Sequence, residues 1–415
     1  MYFDNEQFLE NLFELYFQCR KNKRYSFGAL TFEVDFENNL MQLYRELQTK
    51  TWHPGSCNCF IVDKPVKREI FAAPFKDRIV HHILISELEP CFEKYFIHDS
   101  YACRKGKGTH MAIKRLFHFI NSQTCNNSQE AWILKMDIKG FFMNIERKKL
   151  YEKLELFIET KYRQSLLEKL ETDKNKKFKG QWIFDLKEIE EKLSFVKYLT
   201  REIVFNDPTC SVNYKSPKRA WEGLPKDKSL FTTKIGCGLP IGNLTSQVFA
   251  NFYLTEFDHY IKHDLGIKCY LRYVDDFVIV HQDEGYLKYL IPRIREFLKE
   301  ELGLTLHPKK IYLQPAKIGV PFLGAYIKPN YIMAGKRVLK NFMQKARGYE
   351  KLAQNHKPSK EELNQIQASI NSYLGIMRHY KSWRFRVKVL KEYFKEKLSK
   401  HYRIEKSAIK IEKKK

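Results

Sequence analysis

Long apolar runs are missing from this sequence of 415 residues. No stretch approaches the ~20 residues a helix needs to cross a bilayer, so no membrane partner is expected. Paired cysteines are missing as well. The nine cysteines are odd in number and scattered, and Cys57 and Cys59 of "CNC" have no second pair at zinc-finger spacing. That argues against a structural zinc site, and reduced, partly buried thiols in a cytoplasmic protein fit better. The opening "MYFDNEQFLENLFELYF" has acids within its apolar pattern and no basic lead-in, so an amphipathic helix is expected there rather than a secretory signal. Internal repeats and low-complexity linkers are also lacking. Acids, finally, are scarce. Against 49 Asp plus Glu stand 74 Lys plus Arg, a formal charge of +25 spread along the whole chain. A polyanion such as nucleic acid is the natural partner, with a basic non-binding surface or attraction to a membrane surface as the alternatives.

What is present reads as a mixed α+β chain. Residues 1–50 look helical and close on Pro54 and Gly55. "CFIVDKPVKREIFAAPFKDRIVHHILISEL" passes from a basic extended segment to a helical pattern near Phe75. "SYACRKGKGTHMAIKRLFHFI" is a glycine-punctuated basic loop feeding a helix, and the apolar run of "AWILKMDIKGFFMNI" ends in Asp137, as a buried strand delivering an acid would. Residues 147–200 are helical and charged, and about 205–237 are rich in turn residues, a long loop or insertion. "LTSQVFANFYLTEFDHYIKHDLG" restores a 3.6-residue period and stops at Gly266. Residues 331–400 read as basic helices and 401–415 as a basic tail.

The stretch "CYLRYVDDFVIVH", 269–281, places Asp275 and Asp276 side by side inside a β-branched, aromatic run. Asp is depleted in strands and adjacent carboxylates repel, so a divalent cation is the first explanation for the pair. If the strand ending in Asp137 neighbours this hairpin, three carboxylates converge at one sheet edge. Three such acids can hold two Mg²⁺ ions, because each ion takes one or two carboxylates and completes its shell with water and phosphate oxygens. Two ions ~3.5–4 Å apart stabilise the attacking and leaving oxygens of a displacement at phosphorus. The alternative is an exposed type I turn, where Asp is common.

Taken in order, the segments from about residue 60 to 330 resemble the seven sequence blocks of reverse transcriptases, with a thumb-like helical region following. "YVDD" (273–276) resembles the catalytic turn of the palm, and "MDIKGFF" (136–142) resembles the first palm block. The resemblance implies a right-hand polymerase fold: an N-terminal helical extension (1–60), interleaved fingers and an antiparallel-sheet palm (61–330, with an insertion at about 150–235), and a helical thumb (331–400). It implies an RNA-directed DNA polymerase whose two Mg²⁺ ions, with Mn²⁺ as the alternative ion, are held by Asp137, Asp275, Asp276 and the backbone carbonyl of Ile138. Phe142 then matches the aromatic gate over the sugar of the incoming nucleotide; packing inside a strand core is its plainer reading. Arg68, with Lys67 and Arg78 nearby, matches the fingers bases that grip the triphosphate, a role suited to a bidentate guanidinium. A surface arginine on a basic protein is the alternative. Arg104, Lys105 and Lys107 of "SYACRKGKGTH" match template-binding positions. Lys310 of "LTLHPKKIYL" matches the candidate general acid at the pyrophosphate, with Lys309 as its rival. Phe322, Leu323 and Gly324 of "PFLGAYI" look like the primer grip.

The departures from the common pattern fall in "GLPIGNLTSQ". Most reverse transcriptases have Gln before that Gly and Pro after the Ser; here Ile241 and Gln247 stand there, with Gly242 between them. This version, and the string from Trp221 to Leu254, resembles reverse transcriptases of diversity-generating retroelements, related to the group II intron and retron enzymes of bacteria. The resemblance implies error-prone copying at template adenines, a template-repeat RNA, an RNA–DNA hybrid and deoxynucleotides as partners, a small basic accessory protein forming a pentameric barrel, and a bacterial or phage gene. An apolar Ile cannot hydrogen-bond a nascent pair, which would lower discrimination, since specificity is a difference of transition-state affinities. The alternative is that Ile241 simply packs the palm loop. Two other functions fit less of the pattern: a reverse transcriptase of an antiphage defence system, and an inactive RNA-binding scaffold, against which the presence of all three acids argues. No zinc ribbon, HNH-like cluster or ribonuclease H set follows, so endonuclease activity is not expected.

Overall fold

Apolar residues at helical spacing and β-branched runs at period two alternate along the chain, and the computed structural model converts them into elements accordingly. It describes residues 6–414 apart from 22, 24, 64–65, 176–185 and 395–396. Three helices open the chain: α1 (Glu6–Arg20), α2 (Phe27–Glu33) and α3 (Phe36–Gln48). Strands β1 (Cys57–Val62) and β2 (Arg68–Ala72) lead into α4 (Phe75–Tyr95) and α5 (Thr109–Gln123). After β3 (Trp132–Asp137) come α6 (Phe141–Asn144), α7 (Arg147–Phe157), α8 (Arg163–Asn175) and α9 (Leu186–Phe205). A short β4 (Val212–Tyr214) precedes α10 (Leu244–Tyr253) and α11 (Thr255–His259). The hairpin β5 (Tyr270–Tyr273) and β6 (Asp276–His281) is followed by α12 (Glu284–Glu300) and β7 (Tyr312–Pro315). Then come β8 (Val320–Phe322), β9 (Ala325–Lys328) and β10 (Tyr331–Ala334), and the helices α13 (Lys336–Asn355), α14 (Lys360–Met377), α15 (Trp383–Tyr393) and α16 (Leu398–His401). A last pair, β11 (Tyr402–Ile404) and β12 (Ile411–Lys413), closes the described chain.

The chain divides into two units, each assembled from discontinuous pieces. The first comprises Met1–Arg104, Asp137–Gly266 and Arg293–His307; the second comprises Lys105–Met136, Ile267–Pro292 and Pro308–Lys415. In the first, β2-β1-β4 form a small sheet, β1 antiparallel to β2 and parallel to β4. Its largest helix, α4, is buried on most of its sides, with Ile79, Val80, Ile83, Leu84, Leu88 and Phe92 all inside, so the helix runs through a core rather than over one. Asp77 starts that helix buried, accepting from Trp52 Nε1 at 3.2 Å and from the Gly55 N–H at 2.8 Å, which ties the preceding turn to it.

In the second unit, β5-β6-β3-β7 form a four-stranded sheet, with β5/β6 and β3/β7 paired antiparallel. A separate meander β10-β9-β8 leads to the C-terminal helices. Within the basic tail expected over 401–415, residues 402–413 are instead built into the fold. β11 and β12 pair as a hairpin, and Asn371 of α14 brackets Ile411, its amide donating to the carbonyl at 3.0 Å while its oxygen accepts the N–H at 2.8 Å. Tyr402 and Ile404 alternate along β11, and Ile404 pairs with the buried Ile411 across the hairpin, giving the segment an apolar side that outweighs its charge. The stretch at 205–237 is extended and turn-rich as expected, but it contributes β4 and three short 3₁₀ turns between Lys218 and Thr232.

Candidate active site

The acidic hairpin is set by its turn. Tyr273 pairs with Asp276, leaving Val274 and Asp275 as a two-residue loop. Val274 has φ +56°. A positive φ at the first central position is the type II′ pattern, whose twist suits a hairpin, so the exposed type I alternative does not describe this turn. A β-branched residue in that region is strained, at a cost on the order of 1–3 kcal/mol. Arg272 helps hold it: the residue is 0% exposed and its Nη1 donates to the Val274 carbonyl at 3.1 Å. Asp275 and Asp276 are left half-buried at the end of the hairpin. Lys135 Nζ of β3 lies 3.4 Å from Asp276 Oδ1, donates to the Pro321 carbonyl at 3.3 Å and sits 5.8 Å from the centre of the Phe322 ring. Sequence reasoning passed over Arg272 and Lys135, although each is a lone cation inside an apolar strand.

Asp137 is the last residue of β3 and is 8% exposed. In the sheet order, β3 adjoins β6, the strand that begins with Asp276. Just beyond, Ile138 bridges Leu306: Lys139 N–H donates to the Thr305 carbonyl at 2.9 Å, and His307 N–H donates to the Asp137 carbonyl at 2.8 Å. In that pattern the paired residues exchange no bonds of their own, so the Ile138 carbonyl is not used by the bridge. The donor set is therefore carboxylate and carbonyl oxygen, the hard ligands that Mg²⁺ or Mn²⁺ takes. Among the described residues no three His, Cys, Asp or Glu side chains gather into a single metal-binding group. The set fits ions that share one or two carboxylates with water and phosphate, and it does not fit an all-protein cage.

Other expected residues lie on β2 and the loop before α10. Arg68 is exposed at the first position of β2. Lys67 Nζ donates to the Glu222 carbonyl at 2.6 Å, and Arg78 Nε to the Ala73 carbonyl at 2.8 Å, so both cations also serve the backbone. The "GLPIGN" loop docks on β2 through Phe71 N–H to the Ile241 carbonyl (2.8 Å) and Ala73 N–H to Asn243 Oδ1 (3.0 Å). Gly242, at φ +133°, is required there, since a Cβ would meet the Phe71 carbonyl oxygen at 2.8 Å. Ile241 and Phe142 are brought together, both half-buried against a cluster of Cys57, Cys59, Phe71, Ala73, Met143 and Leu230. Phe142 stands on the short helix α6 rather than in a strand core. Burial pushes the Cys57 thiol up to about 11 and the Cys59 thiol up to about 12, so "CNC" is a pair of neutral apolar fillers. Gln247 is exposed on α10, its Oε1 accepting from the Cys103 thiol at 3.3 Å.

One expected residue is corrected. Arg104 was assigned to the template strand, but its side chain is 5% exposed and fully engaged. Nε and Nη2 fork onto Glu93 at 2.8–3.0 Å, and Nη1 donates to the carbonyls of Ile97 and Ser100. It braces the loop from inside, where the guanidinium fork satisfies several acceptors at once. Lys105 is exposed and Lys107 half-buried beside Gly106 and Gly108, both at positive φ. Lys309 and Lys310 are both exposed, in the turn before β7. Phe322 pairs with Ala325, so Leu323 (φ +46°) and Gly324 (φ +85°) form a two-residue hairpin turn with both central residues left-handed.

The family described as reverse transcriptase (RNA-dependent DNA polymerase) matches residues 64–185 and 208–327, more than half of the chain. The architecture is a right-hand polymerase fold. The chain belongs to the reverse transcriptase family. No curated protein matches it. Similar solved structures include telomerase from Candida albicans in complex with a fragment of telomeric RNA, at 12% identity and TM-score 0.44 over 86% of this chain and 61% of that one. Apo telomerase from Candida tropicalis is similar at 12% identity and TM-score 0.46, over 82% and 60%. The chain thus spans about three fifths of the length of these telomerases.

Proposed function

We propose that the protein is an RNA-directed DNA polymerase, with Asp137, Asp275, Asp276 and the Ile138 carbonyl holding two Mg²⁺ or Mn²⁺ ions. The supporting observation is that the strand ending in Asp137 and the strand beginning with Asp276 are neighbours in one sheet. When bound, the ions would stabilise the attacking and leaving oxygens of phosphoryl transfer. The chain's own residues do the rest. Arg68 grips the triphosphate, with Lys67 and Arg78 adding charge. Phe142 excludes a 2′-hydroxyl from the incoming sugar, and Lys310 or its neighbour Lys309 delivers a proton to the departing pyrophosphate. The turn at Phe322–Gly324 supports the primer end, while Lys105 and Lys107 meet the template. In domain terms, 61–330 forms fingers and palm and 331–400 the thumb, to which the β11–β12 hairpin belongs.

The finer reading is a retroelement enzyme that copies a template-repeat RNA with errors at adenines. Its support is the string from Trp221 to Leu254 and the apolar Ile241 where related enzymes carry a polar group. Its partners are that RNA, the RNA–DNA hybrid, deoxynucleotides and a small basic accessory protein; at +25 the chain would meet a basic partner through bridging RNA.

Primer extension on an RNA template tests the activity. Asp275→Asn is expected to lower synthesis by about a thousandfold or more, with RNA binding retained, because several kcal/mol of charge stabilisation are withdrawn. Undiminished synthesis would refute the metal role. Sequencing the products of Ile241→Gln tests the fidelity reading: errors opposite template adenine should fall, and an unchanged error spectrum rules it out. Because Ile241 is half-buried against an apolar cluster, the melting temperature of that variant is measured alongside.

A further inference from the structure

Glu69 follows Arg68 in β2, and the alternation of a strand turns the two side chains to opposite faces. Arg68 is exposed; Glu69 is 1% exposed. A buried carboxylate must be fully hydrogen-bonded to be tolerated, and this one is. Oε2 accepts from Trp221 Nε1 at 2.7 Å and Ser229 Oγ at 2.9 Å, and Oε1 accepts from the Leu230 N–H at 2.7 Å. All three donors lie in the segment 218–232, more than 150 residues away in sequence. Lys67 reinforces the same attachment through the Glu222 carbonyl.

The segment held this way touches the residues assigned above to the incoming nucleotide. Leu230 belongs to the apolar cluster against which Phe142 and Ile241 pack, and Trp221 packs against the same cluster. The backbone of the segment also comes close to the start of α6: a Cβ on Gly140 would stand 3.0 Å from the Asp227 carbonyl oxygen. Phe142 and Ile241 therefore lean on a wall that the Glu69 carboxylate ties to β2, alongside the packing of Phe231 on Phe71. We propose that Glu69 is a positioning residue which, through Trp221, Ser229 and Leu230, fixes segment 218–232 behind Phe142 and Ile241 and so sets how tightly the enzyme discriminates among nucleotides. The inference rests on the assignment of Phe142 and Ile241 to the nucleotide site.

The test uses the full chain with a primed RNA template. Glu69→Gln presents an amide N–H₂ to donors that need an acceptor. Trp221→Phe keeps a ring in the cluster and deletes one of the three bonds, so it serves if Glu69→Gln fails to fold. Both should raise KM for deoxynucleotides, by about tenfold for Glu69→Gln and severalfold for Trp221→Phe, as expected for loss of hydrogen bonds to a charged group. Values of kcat should stay within about threefold, and the ratio of incorrect to correct incorporation should change. A purely structural role would lower the active fraction, and with it kcat, while leaving KM and the error spectrum alone. That outcome, or wild-type values in both variants, overturns the inference. Failure of the parent reading looks different: the wild-type chain would not extend the primer, or Asp275→Asn would extend it as well as wild type.

Discussion

Two regions present charge by opposite means. On β2 an exposed cation, Arg68, stands next to a buried acid; at the β5–β6 turn two half-buried acids stand close to a buried cation, Arg272. In both, the buried charge holds the backbone that displays the exposed one. The reach differs. Arg272 serves the Val274 carbonyl two residues away, whereas Glu69 draws its donors from Trp221, Ser229 and Leu230. Arg272 acts within the acidic turn itself, which also meets Lys135 of β3 at 3.4 Å from Asp276, and the basic strand is tied to a distant part of the chain. Substitutions at the first should act through the chemistry, and at the second through positioning.

The largest effect should break the acidic side outright. Asp137→Asn is expected to cut complementary-DNA synthesis by about a thousandfold or more, the loss of a metal ligand; synthesis near wild type would remove Asp137 from the site. Next, Arg272→Met leaves the Val274 carbonyl without its donor and should lower synthesis by roughly 10–100-fold, as an active-site misplacement of about 1 Å does. If synthesis is unchanged in the folded variant, the local-prop account fails.

Two arginines sharpen the contrast between display and bracing. Arg68→Ala should raise KM for deoxynucleotides about tenfold with the melting temperature unchanged, the effect of losing a charge-assisted contact. Arg104→Ala should do the reverse, costing about 2–4 kcal/mol of stability by uncovering buried acceptors while template affinity per folded molecule holds. A template-affinity loss in stable Arg104→Ala would restore it to the template surface.

Smaller still, Val274→Gly relieves the left-handed strain, so stability should stay within about 1 kcal/mol of wild type. Synthesis should nonetheless fall severalfold as the turn loosens; full activity would show that the strain is incidental. The smallest effect concerns pH. Burial raises the Asp77 carboxyl to about 6, with the Gly55 and Trp52 hydrogen bonds opposing it. The fold therefore binds this proton more tightly than the unfolded chain does. The stability it contributes is complete below about pH 4 and is lost as pH rises through about 6. Asp77→Asn should flatten that decline in melting temperature between pH 4.5 and 7, and an unaltered slope would count against it.

How much of this was legible beforehand follows the same division. The hairpin about Val274–Asp275, the strand ending at Asp137, the first helix and the stop at Gly266 all come from patterns shorter than about ten residues, and the structure has them where the pattern puts them. Arg104 was misjudged because a basic residue in a glycine-rich loop looks the same whether it faces solvent or turns inward onto Glu93. At 402–413 the charge density hides the apolar alternation that lets the hairpin pack on α14.

By itself, then, the order of blocks, the period of each strand and the acids at the strand ends determined the class of fold. Those signals are local or sequential, and a backbone with fixed periodicity expresses them directly. Tertiary structure decided which cations are displayed and which are buried, which residues share the cluster with Ile241, and what holds segment 218–232. Such choices depend on donors and acceptors more than a hundred residues apart, which meet only when folding removes them from water and each buried polar group must find a partner.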